Sequence, residues 1–261
     1  MLNLKDFMAV LESIAPLEYS RKMIEKGDYD NSGVIVKNHD CINKALFVLD
    51  LTENAVENAL ESGCDTIVTH HPAIYIPIKE LSVDGDTKAL LKATVGGLNV
   101  ISMHLNLDVA KGGIDDSLAE GLGVKNAKVL DLLCDGCGYG KEGQIEPIEL
   151  SEFVEKTKKE FGSDKIIAYG SGTVKKIASF CGSGASHADR QIKNGLTDAD
   201  TIVTSDIPHH LLLSLVLSGV KVVVIPHFVS EDYGFKRFHD CVSKKLEGRA
   251  QTCYFADRRF I

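Results

Sequence analysis

Thr66-Ile67-Val68-Thr69-His70-His71-Pro72 is the stretch from which the chain is best read. Four β-branched residues in a row predict a short buried strand. The strand delivers two adjacent imidazoles at its C-terminal end, where parallel sheets bind their ligands. Pro72 keeps His71 out of helical geometry and has no N–H with which to extend a ladder. Adjacent strand side chains point to opposite faces. His70 and His71 therefore share one metal only if the backbone turns; without a turn each serves a different ion, or both are plain loop histidines.

The same four residues return as Thr201-Ile202-Val203-Thr204, with a second pair, His209-His210, after Ser205-Asp206-Ile207-Pro208. A further parallel follows each copy: Ile101-Ser102-Met103-His104 with Asp108 four residues on, and Val224-Ile225-Pro226-His227 with Glu231 four residues on. Two parallels in the same order, each ending in metal-type residues, predict two related α/β lobes.

Outward from these anchors, apolar runs alternate with amphipathic ones. Leu4, Phe7, Met8, Leu11 and Ile14 recur at helical spacing. Strands are expected at Gly33–Val36, Ala45–Leu49 and Val100–Met103. A helix capped by Thr52 and stopped by Gly63 should fill the gap before Thr66, and another should run from His104 through Leu118. Gly136, Gly138, Gly140 and Gly143 then break the pattern, as a hinge or hairpin and a domain boundary would. The division expected is 1–130 and 131–261. Beyond it lie a helix at Ser151–Phe161, strands near Ile166–Ala168 and Ile177–Phe180, a helix to Asn194, and a buried helix over Leu211–Leu217. A strand at Val222–Ile225, a long helix to Leu246 and a strand at Thr252–Phe255 complete the series. Such alternation is an α/β pattern.

Composition narrows function. The 261 residues carry 29 Lys plus Arg against 37 Asp plus Glu, a net charge of −8, which argues against a general nucleic-acid or anionic-membrane binder. The longest apolar stretch, Leu211–Ile225, is interrupted by Ser214, Ser218, Gly219 and Lys221, so no transmembrane helix is expected. Seven scattered Cys and an N-terminus without a signal-peptide pattern suit a reduced, cytoplasmic protein.

Four-residue spacing puts His104 with Asp108, and His227 with Glu231, on one face of a helical turn, where imidazole and carboxylate can chelate one divalent ion. That donor pair suits Zn, Fe or Mn rather than Ca or Mg. Cys134-x2-Cys137 has no second such pair and reads as two reduced thiols. Gly182-Ser183-Gly184 lacks the Lys-Ser/Thr ending of a phosphate loop and equally suits a tight strand-to-helix turn.

Together these residues resemble the GTP cyclohydrolase I type 2 family, also called the Nif-three-like family. The likeness runs through Asp30-Asn31-Ser32-Gly33, Thr69-His70-His71-Pro72, Pro77-x-Lys79 and His104-x-Asn106-Leu107-Asp108 with Gly112-Gly113. It continues in Cys181-Gly182-Ser183-Gly184-Ala185, Thr204-Ser205-Asp206-x2-His209-His210 and His227-x3-Glu231. The resemblance implies a dinuclear metal site in the cleft between two lobes, with His70, His71, Asp108, His227 and Glu231 as ligands to two divalent ions and Glu231 bridging them. It implies His104 or His209 as the proton-transfer group. The activity implied is hydrolysis by metal-activated water attacking a small anionic nucleotide, opening the GTP ring with release of formate. A closed ring-like homo-oligomer, a hexamer, is also implied. Another dinuclear nucleotide or phosphoester hydrolase and a non-catalytic metal-binding oligomeric adaptor are the alternatives. The chain departs from the family pattern at Ser205, which stands for Gly, at Pro226 and Phe228 around His227, and at Tyr29, which stands for Trp. None of these removes a ligand.

Overall fold

A computed structural model describes residues 2–260. Its central strands begin at two equivalent aspartates, because the four-residue repeat extends one position further, to Asp65-Thr66 and Asp200-Thr201. Asp65 Oδ2 accepts from the N–H groups of Asn43 (2.7 Å) and Lys44 (3.3 Å), and Thr66 Oγ1 donates to Asp65 Oδ1 (3.0 Å). Asp200 Oδ2 accepts from Lys175 and Lys176 N–H (3.0 and 2.9 Å), and Thr201 Oγ1 donates to Asp200 Oδ1 (2.7 Å). The main-chain carbonyls of the same aspartates accept from Asn99 N–H and Lys221 N–H, each at 3.0 Å. One residue thus ties the starts of three successive strands, which fixes their register.

The chain divides into two units: residues up to Ala110 with Phe235–Arg259, and Lys111–Gly234 with Phe260. The first unit holds β1 (Leu2–Asn3), α1 (Leu4–Glu12), α2 (Leu17–Glu25), β2 (Gly33–Val36), β3 (Cys41–Ile42) and β4 (Lys44–Val48). It continues with α3 (Glu53–Glu61), β5 (Thr66–Thr69), α4 (Lys88–Val95), β6 (Asn99–Ser102) and α5 (Leu105–Val109). The second holds α6 (Ile114–Gly121), β7 (Lys125–Cys134), β8 (Cys137–Glu149), α7 (Leu150–Phe161), β9 (Ile167–Tyr169) and β10 (Thr173–Ser179). After these come α8 (Ala185–Lys193), β11 (Thr201–Thr204), α9 (His209–Leu217) and β12 (Lys221–Val224). Helix α10 (His227–Leu246) starts in the second unit and counts with the first from Phe235, as does β13 (Gln251–Tyr254).

The first sheet runs β13-β4-β5-β6-β2, with β2 alone antiparallel. The second runs β7-β8-β10-β11-β12-β9, parallel from β10 to β12 and antiparallel outside them. Both contain the same motif. Three parallel strands are joined by helices, and the third pairs with an antiparallel strand that precedes all three in the chain. β5 and β11, the repeated tetrapeptides, are the middle strand of each motif and are buried throughout. In the first unit Leu46, Val48, Ile67 and Val100 pack with Ala55, Val56 and Ala59 of α3 and Ala89 and Ala93 of α4. The second repeats the scheme with Ala178, Phe180, Ile202 and Val222 against Ala188 of α8 and Leu215 of α9. The expectation of two related α/β lobes is borne out. Among the described residues no helix is long and apolar enough to cross a membrane.

Three details differ from the sequence reading. The glycine-rich stretch is interior to the second unit, so the units part at 110/111 and 234/235 rather than at 130/131. It forms the β7–β8 hairpin, turned by Asp135 (φ +38°) and Gly136 (φ +80°), a two-residue turn whose positive φ values match strand twist. Cys134 and Cys137 are the register partners flanking that turn, and neither is in a disulfide. The helix expected from His104 through Leu118 is two, α5 and α6, because Gly112 takes φ +73° between them. α9 is not a buried helix: of its leucines only Leu215 is buried, and Leu217 is 78% exposed. It offers one stripe to the sheet, as an outer-layer helix does.

Candidate metal centre

At the end of β5 the backbone turns. His70 and His71 N–H both donate to Leu49 O (3.1 and 3.0 Å), and Thr69 Oγ1 donates to His71 O (2.7 Å). The turn brings the two rings onto one side, centroids 5.0 Å apart. His104, which follows β6, adds a third ring at 5.3 Å from His70 and 5.7 Å from His71. One nitrogen of each of the three lies within 4.8 Å of the others, close enough to hold one ion. Asp108, one turn into α5, faces His70, its N–H bonded to His104 O (3.0 Å) and its Oδ1 3.3 Å from His70 Nε2.

Each ring is aimed from behind. His70 Nδ1 donates to Met103 O (2.8 Å), which only accepts, so in the neutral ring Nε2 carries the lone pair. His71 Nδ1 is held by Asp50 (2.7 Å) and His104 Nδ1 by Asp30 (2.7 Å). Burial pushes the Asp30 carboxyl up, but hydrogen bonds from His104, Ser20 and Ser32 outweigh it and hold the group below the usual carboxylate range. Ser32 links the pieces, its Oγ donating to Asp30 Oδ2 (2.7 Å) and accepting from His104 N–H (3.0 Å).

The fit to a cation is chemical. Asp108 is 5% exposed and its Oδ1 takes no hydrogen bond, yet it faces the lone-pair nitrogen of a fully buried imidazole. Two acceptors so placed in a low-dielectric interior repel unless a positive charge lies between them. Imidazole nitrogen and carboxylate oxygen are what zinc, iron and manganese take.

The second unit contributes a smaller set. His227 opens α10 and Glu231 lies one turn on, with Nε2 and Oε2 3.0 Å apart. Asp206, just beyond β11, holds His227 Nδ1 at 2.6 Å and is itself held by Ser183 Oγ (2.9 Å). The Gly182-Ser183-Gly184 segment is the tight turn from β10 to α8, and Gly182 O accepts from Ser205 and Asp206 N–H (3.3 and 3.2 Å). Gly182 has φ +55°, and a Cβ there would meet Glu231 Oε1 at 2.4 Å and His227 Nε2 at 3.3 Å. Only glycine leaves room for that carboxylate.

Of the residues singled out from sequence, His70, His71, His104 and Asp108 assemble in the first unit, and His227 and Glu231 in the second. His104 sits among the ligand-type nitrogens. His209 begins α9 and is exposed, as is His210, so neither joins these groups. Sequence reasoning gave no role to Asp50, and none beyond motif membership to Asp30, Asp206 or Gly182. Asp50 and Asp206 have one signal in common: each is a carboxylate two residues past a buried strand.

These features define a class: two-unit α/β proteins whose strand ends carry His and carboxylate groups that could hold a metal ion, most of the rings oriented by carboxylates. The profile of the Duf34/NIF3 (NGG1p interacting factor 3) family matches residues 2–258, and the chain belongs to that family. It is similar to a Lactococcus lactis protein named GTP cyclohydrolase 1 type 2 homolog, 30% identical over 89% of this chain and 88% of the relative. It is also similar to the Schizosaccharomyces pombe protein NIF3 homolog, 28% identical over 85% and 82%. Among solved structures, reduced HcgD from Methanocaldococcus jannaschii superposes with a TM-score of 0.79 at 28% identity, covering 97% of both chains. Staphylococcus aureus protein SA1388 shares the fold, with a TM-score of 0.84 at 22% identity over 97% and 96%.

Proposed function

We propose that the protein is a dinuclear metal-dependent hydrolase whose substrate is a small anionic nucleotide, GTP being the first to test. The observation that carries the reading is the arrangement behind the rings. His70, His71, His104 and His227 all have Nδ1 engaged by an oxygen acceptor, which presents Nε2 for coordination in His70, His71 and His227 and for proton transfer in His104. This is the outer-shell pattern of histidines that bind metal. Relatives named GTP cyclohydrolase 1 type 2 homolog support the choice of substrate.

In this reading His70, His71, Asp108, His227 and Glu231 would hold two divalent ions, zinc, iron or manganese. Bound there, such ions supply Lewis acidity, acidifying water at neutral pH and polarising the group under attack. The chain's own residues orient and move protons. Asp30, Asp50 and Asp206 fix three of the rings. His104, its Nδ1–H held by ionised Asp30, can accept and return a proton at Nε2. His209 is an alternative proton carrier that would have to act from the exposed start of α9. Two bound cations also make this the electropositive part of a protein of net charge −8, which favours an anionic substrate. The proposal extends to a ring-shaped homo-oligomer in the cytoplasm, read out by light scattering and fractionation.

Anaerobic purification with metal analysis, followed by turnover of GTP against a panel of nucleotides and phosphoesters, tests the reading. The expected result is two metals per chain and turnover that Asp108→Ala and Glu231→Ala abolish. A protein that retains no zinc, iron or manganese after reconstitution refutes it. One that binds metal but turns over nothing on the panel is the adaptor instead.

A further inference from the structure

Away from the histidines, the first unit holds a pair of sulfur atoms that the function above does not use. Cys64 lies in the turn between α3 and β5, and Cys253 lies on β13, the edge strand, in register with Leu46 of β4. Their Sγ atoms are 3.5 Å apart although the residues are 189 positions apart in sequence. Cys64 is buried in the apolar cluster under α3 and α4, whereas Cys253 packs against that cluster and is partly open to solvent. Neither is in a disulfide.

We propose that Cys64 and Cys253 are a redox-modification site, a dithiol that a hydroperoxide converts into an intrachain disulfide. The division of labour follows from surroundings. The two sulfurs share one S–H···S hydrogen bond, which holds the Cys253 thiolate when Cys64 is the donor, and the Lys44 ammonium, tethered to Ser62 O at 2.8 Å, adds positive charge nearby. These effects, the first the larger, outweigh burial and bring the Cys253 thiol down to about 7, while the shared hydrogen bond and burial push the Cys64 thiol up. Cys253 is therefore the accessible nucleophile and Cys64 the resolving thiol.

The chemistry balances with the hydroperoxide as sole oxidant. Cys253 thiolate attacks the peroxide O–O bond, forming S–OH and releasing water or an alcohol once the leaving oxygen takes a proton. Cys64 sulfur then attacks the Cys253 sulfenic sulfur, its own proton leaving with the hydroxyl as a second water, and the S–S bond forms. Two thiols are oxidised by two electrons in total and one peroxide bond is reduced. Closing the pair to disulfide length asks the sulfurs to approach by about 1.5 Å, a side-chain-scale movement at an edge strand. The product ties β13 to the turn that leads into β5.

Intact protein treated with one equivalent of hydrogen peroxide and then alkylated under denaturing conditions gives the test. The expected product has lost about 2 Da and two of seven alkylatable thiols. Peptide mapping should place the bond between Cys64 and Cys253, and a thiol reductant should reverse it. Cys64→Ala, which removes the donor, should leave Cys253 as a sulfenic acid trapped by dimedone and slow its alkylation at pH 7 roughly tenfold. Exposed Cys41 and Cys241 serve as internal controls. The proposal is overturned if excess peroxide oxidises those two while Cys64 and Cys253 remain alkylatable, or if the bond maps to Cys134 and Cys137. Mapping on the unsubstituted protein decides the matter even if a variant does not fold.

Discussion

Gly182→Ala tests the proposed metal-ligand set of His227 and Glu231 at its tightest point. The backbone sits at φ +55°, which an L-residue adopts at a cost of roughly 1–2 kcal/mol. The added Cβ would lie 2.4 Å from Glu231 Oε1. Ordinary contact begins near 3.4 Å, so the carboxylate must retreat by about 1 Å. Glu231 is 3% exposed, and the retreat has to be taken up by packed neighbours, adding about 1–3 kcal/mol. The combined cost is roughly 2–5 kcal/mol, a fall in melting temperature on the order of 5–15 °C for a unit of this size. A carboxylate moved by that much also leaves ligand distance, so the variant should lose metal from the His227–Glu231 set and retain any held by His70, His71 and Asp108. Differential scanning calorimetry and metal analysis read the two effects separately. A variant that melts within 2 °C of the parent, roughly half a kcal/mol, and keeps its full metal content would refute the reasoning.

Three other perturbations are as direct. Asp206→Ala leaves His227 Nδ1 without its carboxylate and should weaken metal affinity about 10–100-fold with little change in fold, measured by chelator competition. Asp200 is pushed up by burial but held below its ordinary range by the stronger sum of hydrogen bonds from Thr201, Lys176 N–H and Lys221. Its folded value lies below its unfolded one, so its contribution is present above about pH 4 and is lost as pH falls through the folded value. Asp200→Asn should therefore be less stable at pH 7 and show a flatter acid limb in urea midpoints between pH 5 and 2; an unchanged limb would count against the clamp. Thr52 caps α3 by accepting Ala55 N–H at 3.2 Å, and Thr52→Ala should cost about 1 kcal/mol in chemical denaturation, with no loss of metal.

The strands were legible because their residues are β-branched and uninterrupted, and the kinship of the units was legible because β5 and β11 are identical. The partition of the chain was not. Glycines that serve a tight hairpin turn and close packing in β8 have the composition of a linker, and only pairing partners distinguish the two. The return of β13 to lie beside β4 is a long-range pairing that no local pattern announces. α4 escaped because it is eight residues with no side-chain cap, after an irregular stretch. The candidates that gather, His70, His71, His104 and Asp108 in the first unit and His227 and Glu231 in the second, were legible because each lies at or one turn beyond a strand end. The groups that aim the rings were not, since Asp30 reaches His104 across 74 positions and Met103 O reaches His70 across 33. Leu211–Leu217 misled for the opposite reason: apolar residues occur all round the helix, yet only one side meets the sheet.

The passage of the chain out of the first unit at Ala110 and back at Phe235 has a consequence for biosynthesis. The second unit is almost wholly one continuous segment, so its sheet can close as soon as β12 has left the ribosome. The first unit cannot. Until Gln251–Tyr254 emerges, β4 stands as an uncovered edge with unpaired main-chain groups, the kind of template on which nascent chains associate. Translation that stalls between Gly234 and Gln251 would therefore release a product with one finished half and one adhesive half, and the final turns of α10 set how long that exposure lasts.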